Sequence, residues 1–151
     1  MPAKANALSI SREFTKSGKD PFDNLSWSKR DVEIRNFDGS VAFSMKDVNL
    51  PDNYSQVAAN VLAQKYLRKA GIPKKLRKVK EKAVPSWLQR SVPDSKSMEN
   101  LNEDEKFGEE IDGKQTFRRL AGTWTYWGWK HGYFASEEDA KAYFDEMCYM
   151  L

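Results

Sequence analysis

The sequence of 151 residues contains only one cysteine and one histidine. A single cysteine excludes a disulfide bond within the chain and a metal site built from several cysteines, and the lone histidine argues further against zinc. No apolar run is long enough to span a bilayer, and residues 1–19 lack the compact apolar block of a secretory signal. We therefore expect a soluble, cytoplasmic protein with no membrane partner.

The sequence also lacks the short motifs that carry common chemistries. It contains no GxGxxG, no phosphate-binding Walker loop and no HExxH. The net charge of +3 is too small to imply strong attraction to nucleic acids or membranes. Carboxylates are abundant, but they lie in charge-rich segments without apolar framing, so no catalytic acid pair stands out. The length predicts one domain with a real core.

Aromatic residues are concentrated in the stretch 117–151, which contains more than half of them. Aromatic side chains bury the largest areas, so this density indicates the centre of a core or of an interface. A helix from about Lys114 to Lys130 is predicted, because apolar residues follow helical spacing at Phe117, Leu120, Ala121, Trp124 and Trp127. Gly122 and Gly128 lower the helix propensity, but they would let another backbone approach closely.

A final helix is predicted after Ser136, which together with Asp139 resembles a capping box. One face is apolar and comprises Ala140, Tyr143, Phe144, Met147, Cys148 and Leu151. The opposite face is charged and comprises Glu138, Lys141, Asp145 and Glu146. The helix has no glycine, asparagine or basic last turn to end it. We expect either that the chain is truncated at this helix or that a partner covers its last turn.

The middle of the chain predicts one β-hairpin and a further helix. Apolar residues alternate on both sides of Asp38-Gly39, which is the strongest short-range signal for a hairpin. The helix is expected after Pro51, capped by Asp52 or Ser55, and Gly71 supplies its stop. Its apolar stripe is Tyr54, Val57, Ala58, Val61, Leu62 and Tyr66.

Two segments show little apolar periodicity. Residues 1–20 are rich in Ser, Lys and Ala, and we predict a flexible N-terminus there. Residues 74–113 form a charged connector whose first part, 74–82, is basic, whereas the part from Asp94 onward is acidic. The basic part suits either phosphate contacts or a solvated surface, and the surface is favoured because no interleaved aromatic residue or glycine loop accompanies the charges. The two parts can also pair with each other.

His131 and Cys148 are the only obvious candidates for a base and a nucleophile. Cys148 lies on the apolar stripe of the last helix, where a small buried thiol is common. His131 lies in a turn beside Gly132 and has no visible partner. The tryptophans of the aromatic stretch could stack on a base or ring, but their helical spacing is more typical of a core. We therefore assign no catalytic, cofactor-binding or metal-binding residue.

Four stretches in a fixed order carry a resemblance to a known family. They are FTKSGKDPFDNLSWSKRD at 14–31, VAFSMKDVNLPDNYSQVAANVLAQKYLRKAGIP at 41–73, VPSWLQRSV at 84–92 and RLAGTWTYWGWKHGYFASEEDAKAYFDEM at 119–147. Together they resemble the N-terminal region of the vitamin B12-dependent (class II) ribonucleotide reductases. The resemblance covers most of the chain, and the order and spacing match across unrelated structural elements.

The resemblance implies a radical oxidoreductase that makes deoxyribonucleotides for DNA synthesis. In this family adenosylcobalamin supplies a radical that passes to a cysteine in a ten-stranded α/β barrel, and a cysteine pair is re-reduced by a thioredoxin-type donor. A ribonucleoside diphosphate or triphosphate is the substrate, and a nucleotide is the effector. Family members continue several-fold further than Leu151, and this chain has one cysteine. No catalytic residue is therefore carried over, and Cys148 is not assigned as the radical cysteine.

The resulting prediction is an α+β fold, mainly α, with several helices and one β-hairpin, as the N-terminal part of a larger α/β-barrel enzyme. Residues 21–151 form its domain, with 74–113 as the charged connector. The predicted role is structural, through docking on the remainder of the reductase, and the isolated chain is expected to be inactive. The alternative is a non-catalytic module that binds a protein or nucleic acid through its aromatic face and basic segment.

Overall fold

The structure is a computed structural model that describes residues 7–151. Three α-helices and six β-strands occur in this part of the chain. In chain order they are β1 (Trp27–Arg35), β2 (Val41–Pro51), α1 (Gln56–Val61), β3 (Ile72–Pro73), β4 (Leu76–Lys78), β5 (Ser91–Pro93), β6 (Phe107–Gly108), α2 (Gly113–Lys130) and α3 (Glu137–Met150). Short 3-10 turns lie at Lys96–Met98 and Glu103–Glu105.

Strands β1 and β2 form the predicted antiparallel ribbon, which confirms the hairpin around Asp38-Gly39. Gly39 has a φ of 85°, a left-handed conformation that glycine adopts without steric cost. The base of the ribbon faces the core, where Val32 pairs with Met45. The buried side chains of this face are Val32, Met45, Val48 and Leu50.

Helix α1 begins as predicted but ends early. Ser55 caps it by accepting a hydrogen bond from the backbone N–H of Ala58 at 3.2 Å. The chain then widens into one π-helical turn, Leu62–Tyr66, and the N–H of Leu67 closes that turn on the carbonyl of Leu62. The expected stop at Gly71 was wrong, because α1 ends at Val61 and the π turn ends at Tyr66, five residues before Gly71.

The structure adds two short strand pairs to the one predicted hairpin, in the connector 74–113 and in the two residues just before it. Strand β4 pairs with β5, and β3 pairs with β6, both antiparallel. Each of these strands is only two or three residues long. A run this short contains no full period of alternation, so it leaves no pattern in the sequence.

Helices α2 and α3 confirm the two helices predicted from the aromatic stretch. Asp112 caps α2, since its side chain accepts from the N–H of Lys114 at 2.8 Å. Ser136 caps α3 by accepting from the N–H of Asp139 at 3.1 Å. Near their junction the ring of Phe134 lies against Gly128, so close that a Cβ there would be 2.7 Å from it. The close approach expected at Gly128 is therefore made by a side chain rather than by backbone.

The core lies between the base of the ribbon, α1 with its π turn, and the facing sides of α2 and α3. Its buried members are Phe22, Val32, Met45, Val48, Leu50, Ala59, Leu62, Ala63, Leu67, Phe117, Ala121 and Cys148. Trp27 packs edge-on against Phe22 with ring centroids 5.4 Å apart. Aromatic contacts of this kind add to area burial, so the first strand is attached to the core through its first residue.

Residues 8–15 lie along α3 and are held by its carboxylates. Leu8 forms a parallel bridge with Phe134. Arg12 pairs with the buried Asp145 at 2.8 Å, and Glu146 accepts hydrogen bonds from Thr15. The charged face predicted for α3 is thus covered at these two positions rather than open to water. The flexibility predicted for residues 1–20 concerns motion and stays a prediction, and residues 1–6 of that range lie outside the described part.

In residues 7–151, no helix combines the length and the apolar character needed to cross a membrane.

Candidate functional site

An apolar groove lies on the surface between α1 with its π turn and α2. Its volume is about 440 Å³. It is lined by Tyr54, Ala58, Val61, Leu62, Tyr66, Thr116, Phe117, Leu120 and Leu151. Five of these residues belong to the apolar stripe predicted for the first helix. That stripe therefore faces the groove in large part, and Val61 and Tyr66 are 47% and 53% exposed.

One rim of the groove is fixed by Tyr54. Its hydroxyl donates to the backbone carbonyl of Leu151 at 2.7 Å, which connects the end of α3 to the start of α1. Burial raises the pKa of Tyr54, so its phenol keeps its proton and remains a donor. Arg30 on β1 donates to the carbonyls of Tyr54 at 2.8 Å and Pro51 at 2.5 Å. The ribbon, α1 and α3 thus position this rim together.

The opposite rim is fixed by a buried ion pair between Glu110 and Arg119. Arg119 donates through two of its nitrogens to the carboxylate, each at 2.9 Å, and also to the carbonyl of Tyr66 at 2.9 Å. The carboxylate of Glu110 further accepts from the hydroxyl of Thr116 and the N–H of Arg68. Burial alone would raise the pKa of Glu110, but these donors lower it below its ordinary value. The π turn is thereby attached to α2.

The groove offers packing area rather than chemistry. None of the side chains that line it carries a charge. The hydroxyl of Tyr54 is engaged by Leu151, and the hydroxyl of Thr116 is engaged by Glu110. An apolar, concave surface on which only the hydroxyl of Tyr66 is left unpaired suits apolar side chains of another segment.

The structure does not bring Cys148 and His131 together. Cys148 is buried near the end of α3, and desolvation raises its pKa to about 12. A thiol with that pKa is not a nucleophile at neutral pH. His131 is exposed at the end of α2, where its ring lies 5.9 Å from that of Tyr133. The two residues occupy opposite ends of the helix pair, so they form no nucleophile and base.

Several aromatic residues of the predicted cluster hold the connector against the helices. The indole N–H of Trp129 donates to the carbonyl of Ala83 at 2.7 Å, and the hydroxyl of Tyr126 donates to Glu81 at 2.6 Å. That hydrogen bond lowers the pKa of Glu81 and raises the pKa of Tyr126. Trp127 is 57% exposed on the outer face of α2. The interpretation of the tryptophans as core was therefore wrong for Trp127.

The basic segment 74–82 joins the acidic part through backbone hydrogen bonds. The N–H of Lys74 donates to the carbonyl of Lys106 at 2.9 Å, and the N–H of Asp94 donates to that of Lys75 at 3.0 Å. The side-chain ammonium of Lys78 donates to the carbonyl of Gln89 at 2.7 Å. The pairing of the two parts is thus mainly backbone pairing, which charge counting did not indicate.

Within the described part of the chain, no group of three or more His, Cys, Asp or Glu residues could hold a metal ion.

Comparison with known proteins places the chain in a family. Residues 28–151 match a family model described as class II vitamin B12-dependent ribonucleotide reductase. The chain belongs to this family. It is 54% identical over 144 residues to the vitamin B12-dependent ribonucleotide reductase of Agrobacterium fabrum, covering 95% of this chain and 11% of that protein. For the reductase of the same name from Bradyrhizobium diazoefficiens, the identity is 51% over 144 residues, with 95% and 12% covered.

A more distant vitamin B12-dependent ribonucleotide reductase, from Streptomyces avermitilis, is 30% identical over 150 residues, with 98% of this chain and 12% of that protein covered. The chain therefore spans about one-eighth or less of the length of these curated relatives.

The residues of this region do not fit the cofactor of the B12-dependent reductases. A groove of about 440 Å³ lies within the range that drug-sized ligands fill, and cobalamin is much larger than such ligands. Among the groove side chains only the hydroxyl of Tyr66 is left to orient a ligand, which is far too little to hold a corrin ring with its many amide groups. The groove thus matches an apolar protein segment better than it matches the cofactor.

Sequence reasoning missed two parts of this site. Glu110 lay within an acidic run and showed no sign of its buried pair with Arg119. The apolar stripe of the first helix was found, but its period does not say whether the chain itself covers it.

Proposed function

We propose that this chain is the N-terminal packing region of a vitamin B12-dependent ribonucleotide reductase and has no active site of its own. Its role is to dock on the catalytic remainder of that enzyme. Family membership supports the choice of enzyme, and the apolar groove is the single observation that supports the docking role. That no residue of the chain is catalytic stays a prediction.

The groove favours docking because apolar area is left in water on an ordered surface. Val57 is 73% exposed on the same helix as Val61 and extends the apolar face beyond the groove. An uncovered apolar face of this kind marks an interaction site in a folded protein. The relatives are far longer than this chain, so the additional part of such a reductase is the occupant that we propose.

The complete enzyme that we propose converts ribonucleotides to deoxyribonucleotides in the cytoplasm. Adenosylcobalamin supplies the radical chemistry when it is bound, and a thioredoxin-type protein returns the electrons. The substrate, the effector and the cofactor bind outside this chain in the proposal. What this chain contributes is a rigid surface, fixed on one rim by Tyr54 and on the other by the Glu110–Arg119 pair.

A charge placed in the groove tests this role. We expect Val61→Asp in the complete reductase to lower cobalamin-dependent ribonucleotide reduction by about tenfold or more, because burying an unpaired carboxylate costs several kcal/mol. Val61 is exposed in the chain itself, so thermal unfolding of the isolated 151-residue chain should change little. The matched control is Leu76→Asp on β4, where a leucine is 56% exposed outside the groove.

Full activity of Val61→Asp in the complete reductase would contradict the docking role. An equal loss in Leu76→Asp would also contradict it, because the effect would then follow surface charge rather than the groove.

The alternative, a non-catalytic module that binds a protein or nucleic acid through its aromatic face and basic segment, is not favoured. In the described part of the chain Trp129 and Tyr126 are engaged by Ala83 and Glu81. Lys78 is engaged by the carbonyl of Gln89. Stacking on bases uses aromatic residues that stand beside free cations, whereas these two aromatic residues hold the connector against the helices.

A further inference from the structure

The tip of the β1–β2 ribbon presents one aromatic side chain entirely to water. Phe37 has a relative exposure of 112%, more than any other large apolar residue in the described part of the chain. It lies in the turn between Arg35 and Val41, beyond the last residues of the ribbon that pack on the core. Exposing a whole phenylalanine forgoes about 1.5–3 kcal/mol that its burial would contribute. Such a residue is therefore worth explaining.

The turn that carries Phe37 is held by its own hydrogen bonds. The N–H of Asn36 donates to the carbonyl of Ser40 at 2.8 Å, and the N–H of Gly39 donates to that of Asn36 at 3.0 Å. Asp38 accepts from the N–H of Ser40 at 2.9 Å and from its hydroxyl at 2.6 Å. The backbone that carries the phenylalanine is thus ordered before any contact is made. Preorganisation of this kind reduces the entropy lost on binding.

The polar side chains near the tip are already engaged in hydrogen bonds. Arg35 pairs with Glu33 at 2.7 Å and donates to the carbonyl of Gly39 at 2.9 Å. Next to them Val41 is 49% exposed on the partner strand. A surface of engaged polar groups around an aromatic anchor and a valine suits an apolar socket.

The small size of the tip decides between a free and a tethered partner. Specific association of free proteins needs about 1,000 Å² or more of buried surface. One phenylalanine and half of a valine provide far less. A partner in the same polypeptide needs much less area, because the tether replaces association by an intramolecular step at high effective concentration.

The apolar groove of the same molecule is not the occupant. β1 runs nine residues from Trp27, which packs against the core, to Arg35, and at about 3.3 Å per residue this carries the tip well away from the core. Insertion into the groove of a second copy would be a heterologous contact, which forms rings or open filaments. Such an arrangement would protect Phe37 in a way that depends on the concentration of the chain.

We propose that the ribbon tip inserts Phe37 into an apolar socket on the catalytic remainder of the reductase polypeptide, as a second docking point besides the groove. The inference rests on the proposed function. The two points differ in kind, since the groove receives apolar side chains and the tip supplies one.

Hydroxyl-radical footprinting, read by mass spectrometry, tests the proposal on the isolated 151-residue chain and on the complete reductase. We expect the oxidation rate of Phe37 to fall by about tenfold in the complete enzyme, as for a central anchor residue. Tyr66 reports the groove in the same experiment. Protection of Tyr66 without protection of Phe37 would overturn the tip contact alone, whereas protection of neither would overturn the proposed docking role as well.

Two variants separate insertion from incidental burial. Phe37→Ser should leave the unfolding temperature of the isolated chain unchanged, because Phe37 is fully exposed there. In the complete reductase it should speed tryptic cleavage after Arg35 by about tenfold, and Phe37→Leu, which keeps an apolar side chain, should restore most of the protection. Equal cleavage of both variants and the natural sequence would overturn the proposal. Protection of Phe37 that appears in the isolated chain as its concentration rises would also overturn it, in favour of a second copy.

Discussion

Glu146 in α3 accepts two hydrogen bonds from Thr15, one from the hydroxyl at 2.5 Å and one from the backbone N–H at 2.8 Å. The same carboxylate accepts from the N–H of Phe14 at 3.2 Å. A segment more than a hundred residues away in sequence is therefore held by one buried carboxylate. Hydrogen bonds to a charged acceptor are stronger than neutral ones, so Glu146 contributes more to this attachment than a glutamine would.

Glu146→Gln should lower the free energy of unfolding by about 1–3 kcal/mol, because the amide leaves part of this buried donor set unsatisfied. Urea-induced unfolding measures the loss, and hydrogen exchange should accelerate at Phe14 and Thr15. Glu138→Gln is the matched control, since Glu138 contacts Arg12 of the same segment but is 63% exposed. It should cost less than about 1 kcal/mol. Equal effects of the two variants would contradict the special role of Glu146.

The stability of the fold should fall in acid. Burial raises the pKa of Glu146, but the donors from Thr15 and neighbouring amides outweigh it, so the pKa lies below its ordinary value of 4.5. The pKa of Glu110 also lies below its ordinary value, because its donors, chiefly Arg119, outweigh the effect of burial. A carboxyl group with a lowered folded-state pKa stabilises the fold fully above its unfolded-state pKa and loses that contribution as pH falls through the folded-state pKa.

We therefore expect these two groups to contribute a constant stabilisation above about pH 5 and a declining one below 4.5. Urea unfolding across this range measures the slope. The Glu146→Gln variant should show a shallower decline than the natural sequence. A stability that rises on acidification would contradict the assignment.

Substitution by alanine should have opposite effects at two glycines inside α2, Gly122 and Gly128. At Gly122 a Cβ would meet only the ring of Phe144 at 3.7 Å, an ordinary contact. Gly122→Ala should therefore stabilise by about 0.5–1 kcal/mol through helix propensity. At Gly128 the Cβ would lie 2.7 Å from the ring of Phe134, which itself packs on Tyr143.

Gly128→Ala should consequently destabilise by about 1–3 kcal/mol, because the overpacked ring must move. Urea unfolding measures both variants, and each serves as the control for the other. Stabilisation by both would show that the Phe134 ring yields without cost.

The ion pair of Glu110 with Arg119 should contribute more to the free energy of unfolding than the ion pair made by Arg118, the neighbouring residue on α2. Arg119→Leu leaves the buried carboxylate uncompensated, and we expect a loss of about 2–4 kcal/mol in the free energy of unfolding. Arg118→Leu removes the exposed pair with Asp20, and it should cost less than about 1 kcal/mol. Urea unfolding measures both. Comparable losses would mean that Glu110 finds another donor.

The helices were predictable because their signals are local. Ser55, Asp112 and Ser136 are polar residues just before helical apolar patterns, and two of these three caps were identified from sequence. The hairpin was predictable because Asp-Gly and period-two alternation occur within a few residues of each other. The range predicted for α2 agrees with the structure to within one residue.

What could not be predicted depends on partners that are distant in sequence. Asp145 and Glu146 lie on the polar side of α3 and look solvated until residues 12–15 are placed over them. The stripe of the first helix looks like core until the groove beside it is seen to be open. A period identifies a face, but only the packing of other elements decides whether that face is covered.

The side chains of α1 have a consequence for how the ribbon can associate. Gln56 donates to the carbonyl of Asp31 at 3.2 Å, and Asn60 donates to that of Glu33 at 3.2 Å. On the other strand, the N–H of Asn49 donates to the carbonyl of Ile111 at 2.9 Å. These backbone positions are where an additional strand would have to pair. A third strand therefore cannot pair with the ribbon at Asp31, Glu33 or Asn49, and association there must proceed through side chains.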